Sequence, residues 1–311
     1  MIRIKWSALF LFMVLAATTA QAQIAAPSLV PSAARVLDPG HVLSVPDASL
    51  TPDNPAVMVW TERKRFGMGQ IQGVSDTDLT VNPNTSTDYS GNFAGFENNS
   101  KEIGFALEQL KLTGNSNDLN VTNFALAAPM MDSGALGFAI EHSTLDMPNK
   151  AKLRINSPVF GVSYRVADVV YLGVAGGTEE FKYTEPLVPT QESVRAVRKF
   201  GLAYSMEGNF LLHVEANASF YNDFASIGQT ELRQDMFVAE VNFQNVHAGY
   251  QRINLVEENT EAGFNVFDIG YAKLDGLAVL LHIENGTRTD TLNNVNTNKY
   301  ESKTVSVAYH F

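Results

Sequence analysis

Residues 304–311 read Thr304-Val305-Ser306-Val307-Ala308-Tyr309-His310-Phe311, with Val305, Val307, Tyr309 and Phe311 alternating with Thr304, Ser306, Ala308 and His310. Successive side chains of a β-strand point to opposite faces, so a period of two gives this segment one apolar and one mixed face. The pattern returns upstream and runs longer than most soluble strands sustain. Phe210, Leu212, Val214, Ala216, Ala218 and Phe220 alternate with Leu211, His213, Glu215, Asn217, Ser219 and Tyr221. Leu277, Val279, Leu281 and Ile283 alternate with Ala278, Leu280, His282 and Glu284, and Leu136, Phe138 and Ile140 with Ala135, Gly137, Ala139 and Glu141. The fold class this predicts is all-β: a transmembrane antiparallel up-and-down β-barrel whose apolar face meets lipid and whose polar face lines the lumen.

Counting back from Phe311, the alternation gives ten strands from about residue 135 onward and two more near 102–112 and 119–128. Strands near Val57–Gln72 and Asp88–Phe96 bring the expected count to fourteen; twelve is the alternative if the Asn- and Thr-rich stretch between them breaks the pattern. Even counts are expected where both ends of the barrel lie on one side of the membrane. Short turns are predicted at Ala167-Asp168, Glu207-Gly208, Gln244-Asn245 and Asp275-Gly276, and Asp-Gly is a strong hairpin signal. Longer polar connections are predicted at 144–150, 185–193, 222–230, 257–262 and 290–297. Barrels of this type turn tightly on the periplasmic side and loop longer outside, which would put Phe311 in the periplasm. Alternation breaks at Ile155–Pro158 and Gln251–Leu255. Proline cannot donate to a ladder, so a register shift is expected near Pro158; the second break is expected where its strand rises out of the apolar belt.

Composition agrees with export. Arg3 and Lys5 precede an apolar run from Trp6 to Leu15 and the small-residue site Ala20-Gln21-Ala22, the layout of a signal peptide cleaved after Ala22. The run is shorter than the roughly 20 apolar residues a membrane helix needs. There is no cysteine, which removes disulfides, thiolate metal sites and cysteine nucleophiles. Without residues 1–22 the chain holds 20 basic and 33 acidic residues, a formal charge of −13, which argues against a nucleic-acid partner. A mean hydropathy of −0.06 is what a barrel gives, since any window averages its two faces.

The terminal aromatic of Phe311, with Tyr309 two residues earlier, resembles the C-terminal signal read by the bacterial barrel-assembly machinery. Asn54-Pro55-Ala56, just before the first expected strand at Val57, resembles the Asn-Pro-Ala element of the FadL-type outer-membrane transporters of long-chain fatty acids and other hydrophobic compounds. The resemblance covers about residues 48–60 together with the strand count and the C-terminal aromatic; Asp53 stands where the family usually has an aromatic. It implies an N-terminal hatch, here residues 23–56, plugging a barrel of residues 57–311 that passes small hydrophobic molecules across the outer membrane. The Pro-rich composition of the hatch fits, since proline lowers the entropy lost on confinement, and Arg35, Asp38, His41 and Asp47 could pair with the lumen. A periplasmic tail is the other reading of that segment. A non-transporting surface barrel with a structural or adhesive role, or a general diffusion porin, are the alternatives for the whole, although only Ser75–Asn84 is long enough for a pore-folded loop near the first strands.

By alternation the lumen-facing candidates are Glu141, Arg165, Arg195, Lys199, His213, Glu215, Glu240, Asp268, His282, Glu284 and Arg288. They would line a channel or pair with one another and with the hatch. His213 with Glu215, and His282 with Glu284, are spaced for contact along one face, a satisfied network rather than a metal site. Tyr164, Tyr204, Phe220, Phe243, Tyr271 and Tyr309 suit interfacial aromatic girdles. His142 beside Ser143 is the nearest approach to a catalytic pair, without a recognisable hydrolase motif. No phosphate loop, zinc spacing or calcium loop stands out, so no enzyme activity, cofactor or metal is expected; the expected partners are outer-membrane lipid, the assembly machinery and a hydrophobic solute.

Overall fold

A computed structural model of the chain describes residues 54–60, 64–77, 85–100, 102–114, 118–130, 132–147, 150–167, 169–206, 210–223, 231–257, 260–273, 276–290 and 295–310. The expected signal peptide, most of the expected hatch with Arg35, Asp38, His41 and Asp47, and Phe311 lie outside the described residues.

After a short 3-10 helix, Pro55–Trp60, come fourteen strands: β1 Lys64–Thr77, β2 Thr85–Asn99, β3 Gly104–Gly114, β4 Asp118–Pro129, β5 Gly134–Asp146, β6 Lys152–Ala167 and β7 Val170–Glu185, then β8 Val188–Met206, β9 Phe210–Asp223, β10 Glu231–Phe243, β11 Val246–Glu257, β12 Thr260–Ala272, β13 Leu277–Asp290 and β14 Val295–His310. Each pairs antiparallel with the next, and β14 pairs with β1 from Arg65↔His310 to Thr77↔Asn298, which closes the barrel. Among the described residues no helix is long and apolar enough to cross a membrane. We call the end at which β14 finishes the inner end and the opposite one the outer end.

The apolar face changes sides along the strands. In the inner half it points outward: Phe160, Val162 and Tyr164 of β6, Val246 of β11, and Leu277, Val279, Leu281 and Ile283 of β13 are solvent-exposed on the barrel exterior. In the outer half it points inward. Leu153 and Ile155 of β6 and Ile253 and Leu255 of β11 are buried in the interior, while Arg154 and Arg252, their outward neighbours, are exposed. A strand that leaves an apolar medium while still enclosing a core must swap faces in this way, because the pleat offers only two. Both breaks in alternation, Ile155–Pro158 and Gln251–Leu255, fall at this swap.

Several expectations are corrected. Val57–Trp60 belongs to the 3-10 helix, and β1 starts only at Lys64. The segment 185–193 is not a long loop: β7 and β8 meet in a tight turn at Pro186-Leu187, with Leu187 at φ 70, and Tyr183↔Gln191 and Lys182↔Glu192 are strand pairs. Likewise β11 and β12 are separated only by residues 258–259. Polar residues here continue the ladder above the apolar belt instead of leaving it. Pro158 causes no register shift. Asn156↔Glu180 and Val159↔Gly177 keep one register across β6 and β7, with the intervening pairs missing where the proline has no N–H to give. The tight turn at Gln244-Asn245 has φ of 51 and 66, the left-handed pair that matches the twist of a hairpin.

The swap makes a graded prediction. Leu281→Arg, on the exterior of the inner half, should lower unfolding stability in lipid bilayers by about 2–4 kcal/mol, and Asn285→Arg, four residues further along β13 on the same outward face, by about 1 kcal/mol or less. Equal costs in denaturant titrations would show that the exterior polarity does not change along β13.

Candidate functional site in the barrel interior

The interior is stratified, and its inner layer is made of small residues. Pro55 opens the 3-10 helix, where its fixed φ suits the first turn and its missing N–H costs nothing. Asn54 caps it: its Oδ1 accepts the Ala56 N–H at 3.1 Å, and its backbone carbonyl accepts the Val57 N–H at 3.1 Å. The Asn54 amide then donates to the wall, to the carbonyl of Val162 at 2.8 Å and of Val174 at 3.4 Å. Pro55 through Val59 are buried. Ala56, Met58 and Val59 pack on Ala106, Ala125, Ala127 and Ala135, and Val57 on Tyr171 and Ala203. Only glycine allows this approach. A Cβ at Gly161 would stand 1.9 Å from Asn54 Oδ1, one at Gly137 would stand 2.3 Å from the Ala56 nitrogen, and one at Gly104 would stand 2.8 Å from Met58 Cβ. Trp60 finishes the contact, donating through Nε1 to Ser163 Oγ at 2.8 Å with the Arg165 guanidinium 5.5 Å from its ring centroid. Asn54, Pro55 and Ala56 therefore sit inside the barrel, held to β5, β6 and β7.

A polar layer lies above. Glu141 accepts from Ser143 Oγ at 3.0 Å, and Glu108 from Asn123 Nδ2 at 3.3 Å. His213 Nε2 and Glu215 Oε2 are 3.1 Å apart, and Asn217 donates to the other Glu215 oxygen at 2.6 Å. His282 also reaches a neighbouring strand: its Nδ1 bonds Asp268 Oδ1 across the β12–β13 pairing, a contact that its spacing in the sequence does not announce. Lys199, Glu240 and Glu284 are buried on the same interior face. Arg165 faces the lumen at the inner end and is exposed; Arg288 lies on β13, with its side chain outside the described set.

The outer layer is apolar. Leu110, Leu112, Val121, Leu153, Ile253 and Phe264 are among its buried residues. Among the described residues a buried ion pair is set into it: Arg195 Nη2 and Nε donate to Glu179 Oε2 at 2.9 and 3.2 Å, and the guanidinium lies 5.2 and 5.1 Å from the ring centroids of Phe181 and Tyr221. A buried pair with this geometry offsets the desolvation of both groups. Sequence reading missed this layer because it assumed one polarity sense for every strand.

His142 and Ser143 face opposite ways. His142 is exposed outside, with Nδ1 2.7 Å from Asn156 Oδ1, while Ser143 is buried inside, so they form no nucleophile–base pair. Tyr164, Tyr204, Phe243, Tyr271 and Tyr309 are exposed near the inner end. Phe220, near the outer end of β9, is half-buried beneath Arg233 at 5.9 Å.

These features define a closed fourteen-stranded up-and-down β-barrel with a lipid-compatible exterior belt and an Asn-Pro-Ala-initiated helix inside it. In solved structures the same fold is found in a Pseudomonas aeruginosa FadL homologue, at 10% identity with a TM-score of 0.57 over 87% of this chain and 95% of that one. The Ralstonia pickettii toluene transporter TbuX is similar at 10% identity and a TM-score of 0.55, over 90% and 98%. The CymD monoaromatic hydrocarbon channel is similar at 9% identity and 0.56, over 83% and 91%. No protein-family model and no curated protein matches the sequence.

Trp60 is the only tryptophan after residue 22, so it reports on the docked helix. Gly161→Val should drive Asn54 off the wall, shifting Trp60 emission to the red and raising its quenching by acrylamide while the sheet signal stays intact. Unchanged Trp60 emission would show that the helix does not depend on that cradle.

Proposed function

We propose that the protein is an outer-membrane channel for small hydrophobic molecules, exported through a signal peptide cleaved after Ala22 and inserted by the barrel-assembly machinery. The observation that carries this reading is the apolar interior layer at the outer end. A water-filled diffusion pore has no use for it, whereas a solute leaving water for such an apolar layer gains about 25 cal/mol for each Å² of apolar surface it hides. The fold shared with a toluene transporter and a monoaromatic hydrocarbon channel supports the same solute class. Residues 23–56 act as the hatch, with Asn54-Pro55-Ala56 as the joint that fixes its end to β5, β6 and β7. The lumen charges hold the wall together beneath that layer. No catalysis is needed for this role.

The second reading, a surface barrel that transports nothing, draws on the burial of the interior side chains: a packed outer layer can be a core and no more. Uptake separates the two. In a strain lacking the gene, the restored wild-type chain should recover entry of radiolabelled toluene or a long-chain fatty acid, and Ile253→Asp, which puts a charge in the apolar layer, should cut that entry several-fold at equal surface level. Uptake that ignores both the gene and the substitution would leave only the surface-barrel reading. For the hatch, a chain without residues 23–56 should show higher single-channel conductance in planar bilayers; equal conductance would mean the segment does not obstruct the lumen.

A further inference from the structure

The pairing of β9 to β13 sets a row of interior positions at one level: His213↔Glu240, Glu240↔Gly249, Gly249↔Asp268 and Asp268↔His282. Gly249 is the centre of the row and has no side chain, and the space it leaves is where its neighbours converge. A Cβ built there would stand 2.9 Å from Asp268 Oδ2 and 3.3 Å from Nε2 of His247, which lies two residues below on the same face. One donor atom each of Glu240, His247 and Asp268 fall within 4.8 Å of one another. Glu240 and His247 are buried.

From this convergence we propose that Glu240, His247 and Asp268 form a binding site for a divalent transition-metal ion on the inner wall of the barrel. Two carboxylates and one neutral imidazole match a doubly charged ion in charge, and the donor types, nitrogen with oxygen and no sulfur, suit zinc and its neighbours. The second oxygen of Asp268 is held by His282 Nδ1, so Oδ1 is fixed while Oδ2 stays turned toward Gly249. Such an outer partner orients a ligating carboxylate. The electrostatic setting favours a cation: the buried interior charges described comprise seven glutamates against one arginine and one lysine. The remaining coordination positions would be filled by water or solute. The site is independent of which solute the barrel carries.

Zinc chloride titrated into the metal-stripped, detergent-folded full chain tests this by calorimetry. One ion per chain is expected. Asp268→Asn and His247→Gln should each weaken binding by about tenfold or more, and so should Gly249→Ala, which changes no ligand but fills the space between two of them. His282→Asn should weaken binding by a similar factor of about ten while leaving the first-shell X-ray absorption spectrum of the bound zinc unchanged. Retention of the heat-dependent gel shift checks that each variant is folded. The zinc-loaded wild type offers a test that needs no variant: its absorption fine structure should show one imidazole in a shell of oxygen. No saturable binding by the wild type, a shell without imidazole, or wild-type affinity in folded Asp268→Asn and Gly249→Ala would each overturn the assignment.

Discussion

Closure is the constraint on which the rest of the structure depends. In an apolar medium a backbone N–H or C=O without a partner costs several kcal/mol, as a rough figure, so a sheet can sit in lipid only when it has no edge. The pairing of β1 with β14 removes the last edge. Once the ring is closed every strand has two faces and no third option, and the chemistry of each residue is fixed by which medium its face meets at its height. The inner half has an apolar exterior and encloses the docked helix with a polar layer above it. The outer half has Arg154 and Arg252 outside, with Leu153 and Leu255 within, the arrangement of a water-surrounded β-barrel with its own core. One continuous sheet thus carries two opposite solvation patterns, and the strands pass from one to the other without a change of register at the swap, even where Pro158 interrupts the β6–β7 pairs.

This accounts for what could be read directly from the chain. β9, β13 and β14 declare the fold because much of their length lies where the apolar face points outward, and the strand count follows from the turns between them. Expectations failed where a local pattern had two physical origins. Val57 and Val59 alternate like a strand, but Asn54 as cap and Pro55 at the first helical position were the stronger signal, and the small interior residues around them left room for a helix. The polar run 185–193 looked like a loop because polarity was taken to mean departure from the sheet. Above the belt, water solvates both a loop and the exposed face of a strand, so composition no longer distinguishes them; the pairs Tyr183↔Gln191 and Lys182↔Glu192 do.

The interior residues show a further limit of one-dimensional reading. Parity along a strand is visible in the sequence, and it places His213, Glu215, His282 and Glu284 on one side of the wall. Register between strands is not visible, because it is set by turn geometry and by the stagger accumulated around the ring. His213 and Glu215 needed only parity to meet. Asp268 and His282 needed register, and so did the convergence of Glu240, His247 and Asp268 around Gly249, whose members come from three strands and carry no spacing motif.

The order of the layers follows from what each must accommodate. The helix can dock only where the wall is thin, and alanine and glycine at the inner end provide that, with Gly104, Gly137 and Gly161 at the closest points. Charges are concentrated next, in the part of the wall whose far side is apolar, and there they bind one another or an amide: Glu215 with His213 and Asn217, Asp268 with His282. A buried carboxylate in such a setting is tolerated only while its partner stays, so these contacts make the middle of the barrel rigid and intolerant of single truncations. The outer layer has no such requirement. Its leucines, valines and phenylalanines interact without direction, so one packing exchanges for another at little cost, and the Arg195–Glu179 pair embedded in it is closed on itself and on two aromatic rings. Rigidity below and adaptable apolar surface above is a division of labour that the sequence encodes by height along the strands and that neither composition nor average hydropathy reveals.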